Sequence, residues 1–358
     1  MARRLNVAIL FGGQSGEHEV SLESATSVIN NIDLERYNLY LIGITKSGQW
    51  RYYDGDVSKI VTGEWEKESK PAVFPGDPSY RGFFLTEDPS KIYPIDVVFP
   101  VMHGPHAEDG TIQGLLVLAN IPYVGCGVLA SSTAMDKAIA KVIFAAHGLP
   151  QGDYMVVLKH SLKEDLDEVL EEIEHKFTYP VFVKPANMGS SVGITKAHNR
   201  DELVEGLKKA AKYDRKIVVE EYINGREIEC AVLGNNDPKA SILGEIIPSN
   251  EFYDYHAKYR DGGKSRLLIP APISDSKSKE IQEIAIKAYK ALDCSGLARV
   301  DFFVDKENEK VYLNEVNTMP GFTQISMYPK LWEATGIPYS KLIDCLIELA
   351  QERFKEKQ

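Results

Sequence analysis

Apolar residues along this chain gather in short runs that alternate with stretches of helical spacing. Leu5 to Phe11 is an apolar run that predicts a strand, and Leu22, Ala25, Val28, Ile29 and Ile32 behind it share one helix face. Tyr37 to Thr45 predicts a second strand and Asp96 to Met102 a third, with a helix over Thr111 to Ala119 and a short strand over Pro122 to Gly125. This βαβ rhythm predicts a parallel sheet flanked by helices. Residues 46 to 94 have no usable period and are rich in Gly, Pro and aromatic side chains.

Further on, Thr133 is expected to cap a helix with Asp136 at its third position. Ile139, Val142, Ile143 and Ala146 would form its apolar face, and Gly148 with Pro150 would end it. Leu162, Leu166, Val169, Leu170 and Ile173 mark one more helix, whose acidic run reads as a solvated face. Strands over Pro180 to Pro185, Val192 to Lys196, Ile217 to Ile223 and Ile228 to Leu233, with a helix from about Asp201 to Tyr213, make a small α+β unit. The last region reads as strands Ala240 to Pro248, Leu297 to Asp305 and Val311 to Asn317, with helices over Lys277 to Leu292 and Ser340 to Phe354. The class is α/β with α+β parts.

Composition narrows the function. With 358 residues, 44% hydrophobic and 26% charged, the chain has room for two or three domains. A net charge of -11 argues against a nucleic-acid or membrane-surface partner. Cys126, Cys230, Cys294 and Cys345 form no C-x-x-C pair, which predicts reduced thiols instead of a disulfide frame or zinc site. Without a signal-peptide pattern or a run long enough to span a bilayer, the expected location is cytoplasmic.

The strongest chemical signal is the hairpin of Leu297 to Asp305 and Val311 to Asn317. If its turn pairs Asp305 with Val311, then Asp301 faces Glu315 and Arg299 faces Asn317. Acids are poor strand formers, and these interrupt apolar runs. Three hard oxygen donors without Cys or His suit Mg2+, which commonly accompanies phosphates. A one-residue slip would spoil the arrangement.

Familiar nucleotide fingerprints fail. A G-x-G-x-x-G ending at Gly16 would begin on Phe11, and a Walker loop ending at Gly263-Lys264-Ser265 would begin on Lys258. Lys184 to Ile194 offers another Gly-rich loop, which is either an anion nest closed by Lys184 or a flexible hairpin. Lys137 in the first turn of its helix is either a second phosphate cation or a surface lysine. Glu220, Glu221 and Ile223 end a strand that can pair its backbone with an adenine edge, and Glu227 can meet ribose hydroxyls; out of context they are acids ending an exposed strand. Asn250 to Lys264 is aromatic, charged and unperiodic, which favours a lid. His103 follows an apolar strand and Glu17 follows the first strand, both at strand ends where open α/β sheets bind ligands. Glu17 can meet a substrate ammonium or merely a helix dipole.

Taken in order, these blocks resemble the ATP-grasp superfamily and, within it, the D-alanine–D-alanine ligase family. The resemblance rests on Gly12 to Ser21, His103-Gly104 with Glu108 to Gly114, Met135-Asp136-Lys137, Lys184-Pro185 with Gly189 to Gly193, Phe252 to Tyr259, Arg299-Val300-Asp301, and Glu315 to Thr318 with Pro320-Gly321. It covers essentially the whole chain and implies three domains: 1–133, 134–223, and 224–358 with a lid at 249–267. It implies ATP and two Mg2+ ions, with Mn2+ as a substitute, two D-alanines as substrates, and a homodimer.

The resemblance also implies roles. Lys137 and Lys184 would hold α- and β-phosphates; Glu220, Glu221 and Ile223 would meet adenine, and Glu227 the ribose. Asp301, Glu315 and Asn317 would bind the metal ions. Glu17 would bind the first ammonium, Arg299 and the Gly321 N–H would face the oxyanion, and Ser326 would help hold the second carboxylate. Lys258 would reach the γ-phosphate, while Tyr259, Ser190 and Glu17 would latch the lid. Tyr259 argues against a D-lactate acceptor, because the family's depsipeptide makers usually lack it. Ala107 departs from the glycine common in the family and leaves that loop's conformation open.

Overall fold

The computed structural model describes residues 3–248 and 265–357. Three sheets organise them, of seven, four and five strands. In the first, Leu5–Gly12 lies between Tyr37–Ile44 and Val97–Pro100, parallel to both, as the βαβ rhythm predicts. Past Tyr37–Ile44 the sheet continues through four antiparallel strands, Trp50–Tyr53, Lys70–Val73, Gly82–Leu85 and Asp88–Pro94. All four come from the stretch without a period. They are short, and much of their cohesion comes from aromatic contacts: Phe83 stacks on Tyr93 at 4.9 Å and meets Tyr40 edge-on at 5.7 Å. The Pro122–Gly125 strand reduces to a single parallel bridge from Tyr123 to Val98.

Two helix readings change. Asp136 is itself the cap of helix Lys137–Ala146, accepting from the N–H groups of Ala138 and Ile139 at 3.1 Å each. Thr133 instead lies inside the preceding helix Val128–Met135 and donates to the Leu129 carbonyl. The helix buries Ala138, Ala140, Lys141 and Phe144, while Ile139 and Val142 are exposed, so its inner face is rotated from the apolar stripe. The next helix is split: Asp165 leaves helical geometry after Ser161–Glu164 and caps Leu166–Lys176 through the Glu168 N–H at 3.0 Å.

The four-stranded sheet runs Thr195–Ala197, Val181–Pro185, Lys216–Glu221, Tyr154–Leu158. Its core of Val169, Leu170, Ile173, Val183, Leu203, Leu207 and Val219 is a cluster of its own. The five-stranded sheet is ordered Arg266–Leu268, Lys239–Ile247, Gly225–Gly234, Gly296–Asp305, Val311–Asn317. Helix Asp275–Ala291 covers one face with Ile281, Ala285, Ala288 and Tyr289. A further core joins this sheet to the first: Val7, Ile9 and Phe11 share a cluster with Leu342, Ile343, Leu346 and Ile347 of helix Tyr339–Glu356. Arg353 of that helix donates to the Tyr123 carbonyl at 2.9 Å and the Ser295 hydroxyl at 2.7 Å, pinning the two sheets together. No described helix is long and apolar enough to cross a membrane.

Candidate active site

A cleft of about 310 Å³ opens between the four- and five-stranded sheets. Lys137, Lys184, Ser190, Glu220, Glu227 and Glu315 are among the side chains that line it, with Glu221, Ile223 and Asn317. The nucleotide-side candidates are thus brought together. Lys184 faces Glu220 from the adjacent strand, Nζ to Oε2 at 2.7 Å. Burial alone would push the Glu220 carboxyl up, but the Lys141 and Lys184 ammonium groups outweigh it and hold it at about 2. Lys137 donates to the Met188 carbonyl at 2.8 Å and stands 3.5 Å from Glu315. Its own N–H bonds to the Ala186 carbonyl at 3.0 Å, which fixes the helix start against the end of strand Val181–Pro185. Glu221 accepts from the Asp153 N–H at 2.7 Å, so its side chain is engaged in bracing the cleft wall.

The low Glu220 value has a consequence at acid pH. Its contribution to stability is complete above the unfolded value near 4.5 and disappears as pH falls toward 2. The shift is worth on the order of 3 kcal/mol. Urea midpoints measured between pH 4.5 and 2 should therefore fall in the wild type, and Glu220→Gln should lack this part of the slope. Equal slopes would remove the charge pair from the account.

The hairpin of Gly296–Asp305 and Val311–Asn317 pairs Arg299 with Asn317 and Asp301 with Glu315, as the sequence reading required. It does so by another route. The turn pairs Val304, not Asp305, with Val311, and a bulge at Asn314 restores the register beyond it. Arg299 gives Asp301 a two-pronged pair at 2.7 Å on both oxygens, and Asn317 Nδ2 donates to Asp301 Oδ2 at 2.9 Å. Glu229, directly across the sheet from Asp301, lies 3.1 Å from Arg299 Nε. Burial works against the Arg299 charge, but Asp301 and Glu229 more than offset it and keep the guanidinium protonated. The oxygen-only donor set of Asp301, Glu315 and Asn317 fits a hard cation such as Mg2+. Among the described residues no group of three His, Cys, Asp or Glu side chains can hold a metal alone, so Asn317 and ligand oxygens would have to complete the sphere.

A third cluster lies at the C-terminal edge of the first sheet. Glu17 is 7% exposed and accepts a hydrogen bond from the Ser190 hydroxyl of the Gly-rich loop. A Cβ at Gly189 or Gly104 would come within 2.8 or 2.7 Å of Glu17 Oε2, so both glycines admit the carboxylate. His103 does not offer a free ring nitrogen: Nδ1–H donates to the Met319 carbonyl at 3.0 Å, and Nε2 accepts from Ser24 at 3.1 Å. Burial pushes the ring's pKa down and keeps it neutral, which this pattern needs. Ser24 in turn receives the Phe322 N–H at 3.4 Å. His103 and Ser24 together set the Met319 to Phe322 loop, and with it the Gly321 N–H. Ser326 lies one turn on, its hydroxyl 2.8 Å from Thr323 Oγ1 and accepting from the Thr323 N–H at 3.0 Å. Ala107 is buried, and the loop's left-handed backbone falls on Gly104, His106 and Gly110 instead. Lys258 and Tyr259, with residues 249–264 of the expected lid, lie outside the described residues. Residues Arg266 to Leu268 pair with Lys239–Ile247 as an edge strand.

Sequence reasoning missed Glu229 and Lys141, and quoted Glu108 only within a family block, without a role. Glu229 carries the same signal that flagged Asp301, an acid inside an apolar strand. Glu108 faces Glu17, Arg299 and Glu315; burial and the Glu17 charge push its carboxyl well above the usual range, while it accepts from the Gly104 N–H at 2.8 Å. Lys141 interrupts an otherwise apolar helix face.

A Gly-rich loop and a carboxylate hairpin that line one cleft between two sheets, with Glu17 reaching that loop from beside a third, match the architecture of an ATP-grasp carboxylate–amine ligase. Two family profiles match this chain: "D-ala D-ala ligase N-terminus" over residues 6–126 and "D-ala D-ala ligase C-terminus" over residues 143–348. The chain belongs to the D-alanine–D-alanine ligase family. It is 61% identical to the D-alanine–D-alanine ligase of Thermoanaerobacter sp. strain X514, over 98% of both chains. To that of Ruminiclostridium cellulolyticum it is 57% identical, over 98% of this chain and 96% of the other. Among solved structures it resembles the VanG D-Ala:D-Ser ligase from Enterococcus faecalis, with a TM-score of 0.88 and 40% identity over 97% of this chain and all of the other. It also resembles the D-alanine–D-alanine ligase from Coxiella burnetii, with a TM-score of 0.85 and 38% identity over 99% and 97% of the two chains.

Proposed function

We propose a role for each of these side chains in the reaction of the family. The chain is an ATP-dependent ligase that joins two D-alanines into D-alanyl-D-alanine for peptidoglycan precursor synthesis. A carboxylate is a poor electrophile and must first be activated. The first D-alanine's carboxylate oxygen attacks the γ-phosphorus, the bond to the bridging oxygen breaks, and ADP leaves. The amine of the second D-alanine then adds to the acyl carbonyl, and the tetrahedral intermediate expels inorganic phosphate. The contact that carries this reading is Ser190 on Glu17, which brings a buried amine-binding carboxylate against the phosphate loop.

Glu17 holds the first ammonium, and Lys137 and Lys184 hold the α- and β-phosphates. The Glu220 to Ile223 segment receives adenine and Glu227 the ribose. Asp301, Glu315 and Asn317 would hold two Mg2+ ions, which when bound would neutralise charge on the transferred phosphoryl group. Arg299 and the Gly321 N–H, the latter aligned by His103 and Ser24, face the oxyanion. Ser326 helps fix the second carboxylate. An acyl phosphate must be kept from water; the roles that the reading gives Lys258, at the γ-phosphate, and Tyr259, in a chain with Ser190 and Glu17, fall outside the described residues. The same reading takes 1–133, 134–223 and 224–358 as domains, a homodimer as the assembly and the cytoplasm as the location.

The test is ADP release with MgATP and D-alanine, D-serine or D-lactate as acceptor, with mass spectrometry of the product. D-alanine dependence and a D-alanyl-D-alanine product are expected. Preferential mixed products would move the acceptor assignment, and no D-alanine stimulation would leave the fold without this reaction. A narrower test addresses Glu17. Gly189→Ala places a methyl 2.8 Å from Glu17 Oε2 and should raise the KM for D-alanine about ten-fold or more, with the melting temperature nearly unchanged. An unchanged KM would separate Glu17 from the first substrate.

A further inference from the structure

Lys141 has no place in the roles given above, yet it is one of the few lysines the fold buries, at 3% exposure. Its helix neighbours Ala138, Ala140 and Phe144 are all buried and apolar, so an apolar residue would suit the position. Instead its ammonium lies 3.4 Å from Glu220 Oε1, over the Tyr154 ring at 5.3 Å from the centroid. Glu220 Oε2 is held by Lys184 at 2.7 Å. Three elements thus contribute one carboxylate and two ammonium groups to the wall of the cleft: helix Lys137–Ala146, strand Val181–Pro185 and strand Lys216–Glu221. A buried ammonium is tolerated where it has a counter-charge. Here Glu220 contacts both, with Glu315 and Glu227 acting on Lys184 from further away, and the contacting trio carries one surplus positive charge.

That surplus decides what Lys184 can do. With Glu220 alone, Lys184 would form a neutral, closed pair, and turning toward a phosphate would strand a buried carboxylate. With Lys141 on the other oxygen, the carboxylate remains compensated when Lys184 turns away. We propose that Lys141 is a positioning residue for the phosphate subsite: it holds Glu220 so that the N–H donors of Lys184 are available to a nucleotide's phosphates. This rests on the nucleotide reading of the cleft. Lys141 itself need not touch the ligand.

The experiment compares ADP with adenosine, which lacks phosphates, by titration calorimetry on the full chain. The ratio of the two affinities isolates the phosphate term from any effect on the base. Lys141→Met should lower that ratio on the order of ten-fold, because Lys184 is then drawn into a closed pair with Glu220. It should raise the KM for ATP more than it lowers kcat. Glu220→Gln, which releases Lys184, should raise the ratio. The double variant Lys141→Met/Glu220→Gln should return it toward the wild-type value, a rescue that a purely structural role for Lys141 would not give. An unchanged ratio in Lys141→Met overturns the proposal. If that variant does not fold, Glu220→Gln decides: a ratio that does not rise overturns it. A wild-type protein that binds ADP no better than adenosine would instead refute the phosphate-binding reading itself, and the proposal with it.

Discussion

Glu315→Ala is expected to lower turnover by about 10³-fold or more while leaving the fold intact. The carboxylate sits on the edge strand Val311–Asn317, opposite Asp301, and its side chain keeps 25% of its exposure. Truncation of this partly exposed side chain therefore opens no core cavity, and among its contacts costs a partly buried ion pair with Lys137 at 3.5 Å. In the proposed role it removes an oxygen donor for a cation that would neutralise the transferred phosphoryl group, a loss of several kcal/mol in the transition state. Each 1.4 kcal/mol is about a factor of ten in rate. ADP release under saturating D-alanine measures the first effect and a melting curve the second. Unchanged ADP release would sink the metal assignment for the whole hairpin.

Arg299→Met should damage both activity and stability. The guanidinium is buried between Asp301 and Glu229, at 2.7 and 3.1 Å, and removing it leaves two buried carboxylates without their shared counter-charge. Breaking one partner of such a set costs about 3–5 kcal/mol. Loss of an oxyanion donor costs about 10²- to 10³-fold in kcat. Urea denaturation and steady-state kinetics read the two separately. A variant that kept its urea midpoint but lost turnover would show that the carboxylates find other partners; one that kept turnover would remove Arg299 from the oxyanion site.

Much of this site could be read from residues because it lies on strands with strong patterns. Arg299, Asp301, Glu315 and Asn317 were legible as polar interruptions of apolar runs, and a sheet enforces which of them meet. The assumed turn pairing was off by one, and the bulge at Asn314 cancelled that error. Bulges of this kind leave no signal in alternation, so the correct facing pairs were reached from an incomplete premise. The antiparallel extension over residues 50–94 was illegible for a different reason. Its strands hold four to seven residues and are stabilised by aromatic contacts among Tyr40, Tyr52, Phe83 and Tyr93, which are distant in sequence. The helix face around Lys141 was misread because tertiary packing buries Ala and Lys there and leaves Ile139 and Val142 outward. Periodicity identifies an amphipathic helix, but the partner decides which stripe is covered. His103 was legible as a strand-end residue; that one ring nitrogen would bond to the Met319 carbonyl and the other to Ser24, which in turn holds the Phe322 N–H, was not, because Met319 is 216 positions away.

The separate core of the four-stranded sheet bears on how this molecule unfolds. That sheet carries Lys184 and the Gly-rich loop, and it meets the rest of the apolar interior through the small cluster of Ala138, Ala186 and Val218. Glu17, at the N-cap of the helix after strand Leu5–Gly12, and Arg299 and Glu315 of the five-stranded sheet lie on the other side of that seam, where the first and five-stranded sheets share a core. Cooperativity follows contiguous packing, so without substrates the two parts are expected to unfold as distinct calorimetric units. Ligands that touch both sides bind only the assembled form and couple the units by mass action. Nucleotide and D-alanine together thus act as a removable part of the hydrophobic core's work: two overlapping heat-absorption peaks in the bare protein should merge into one when the cleft is filled.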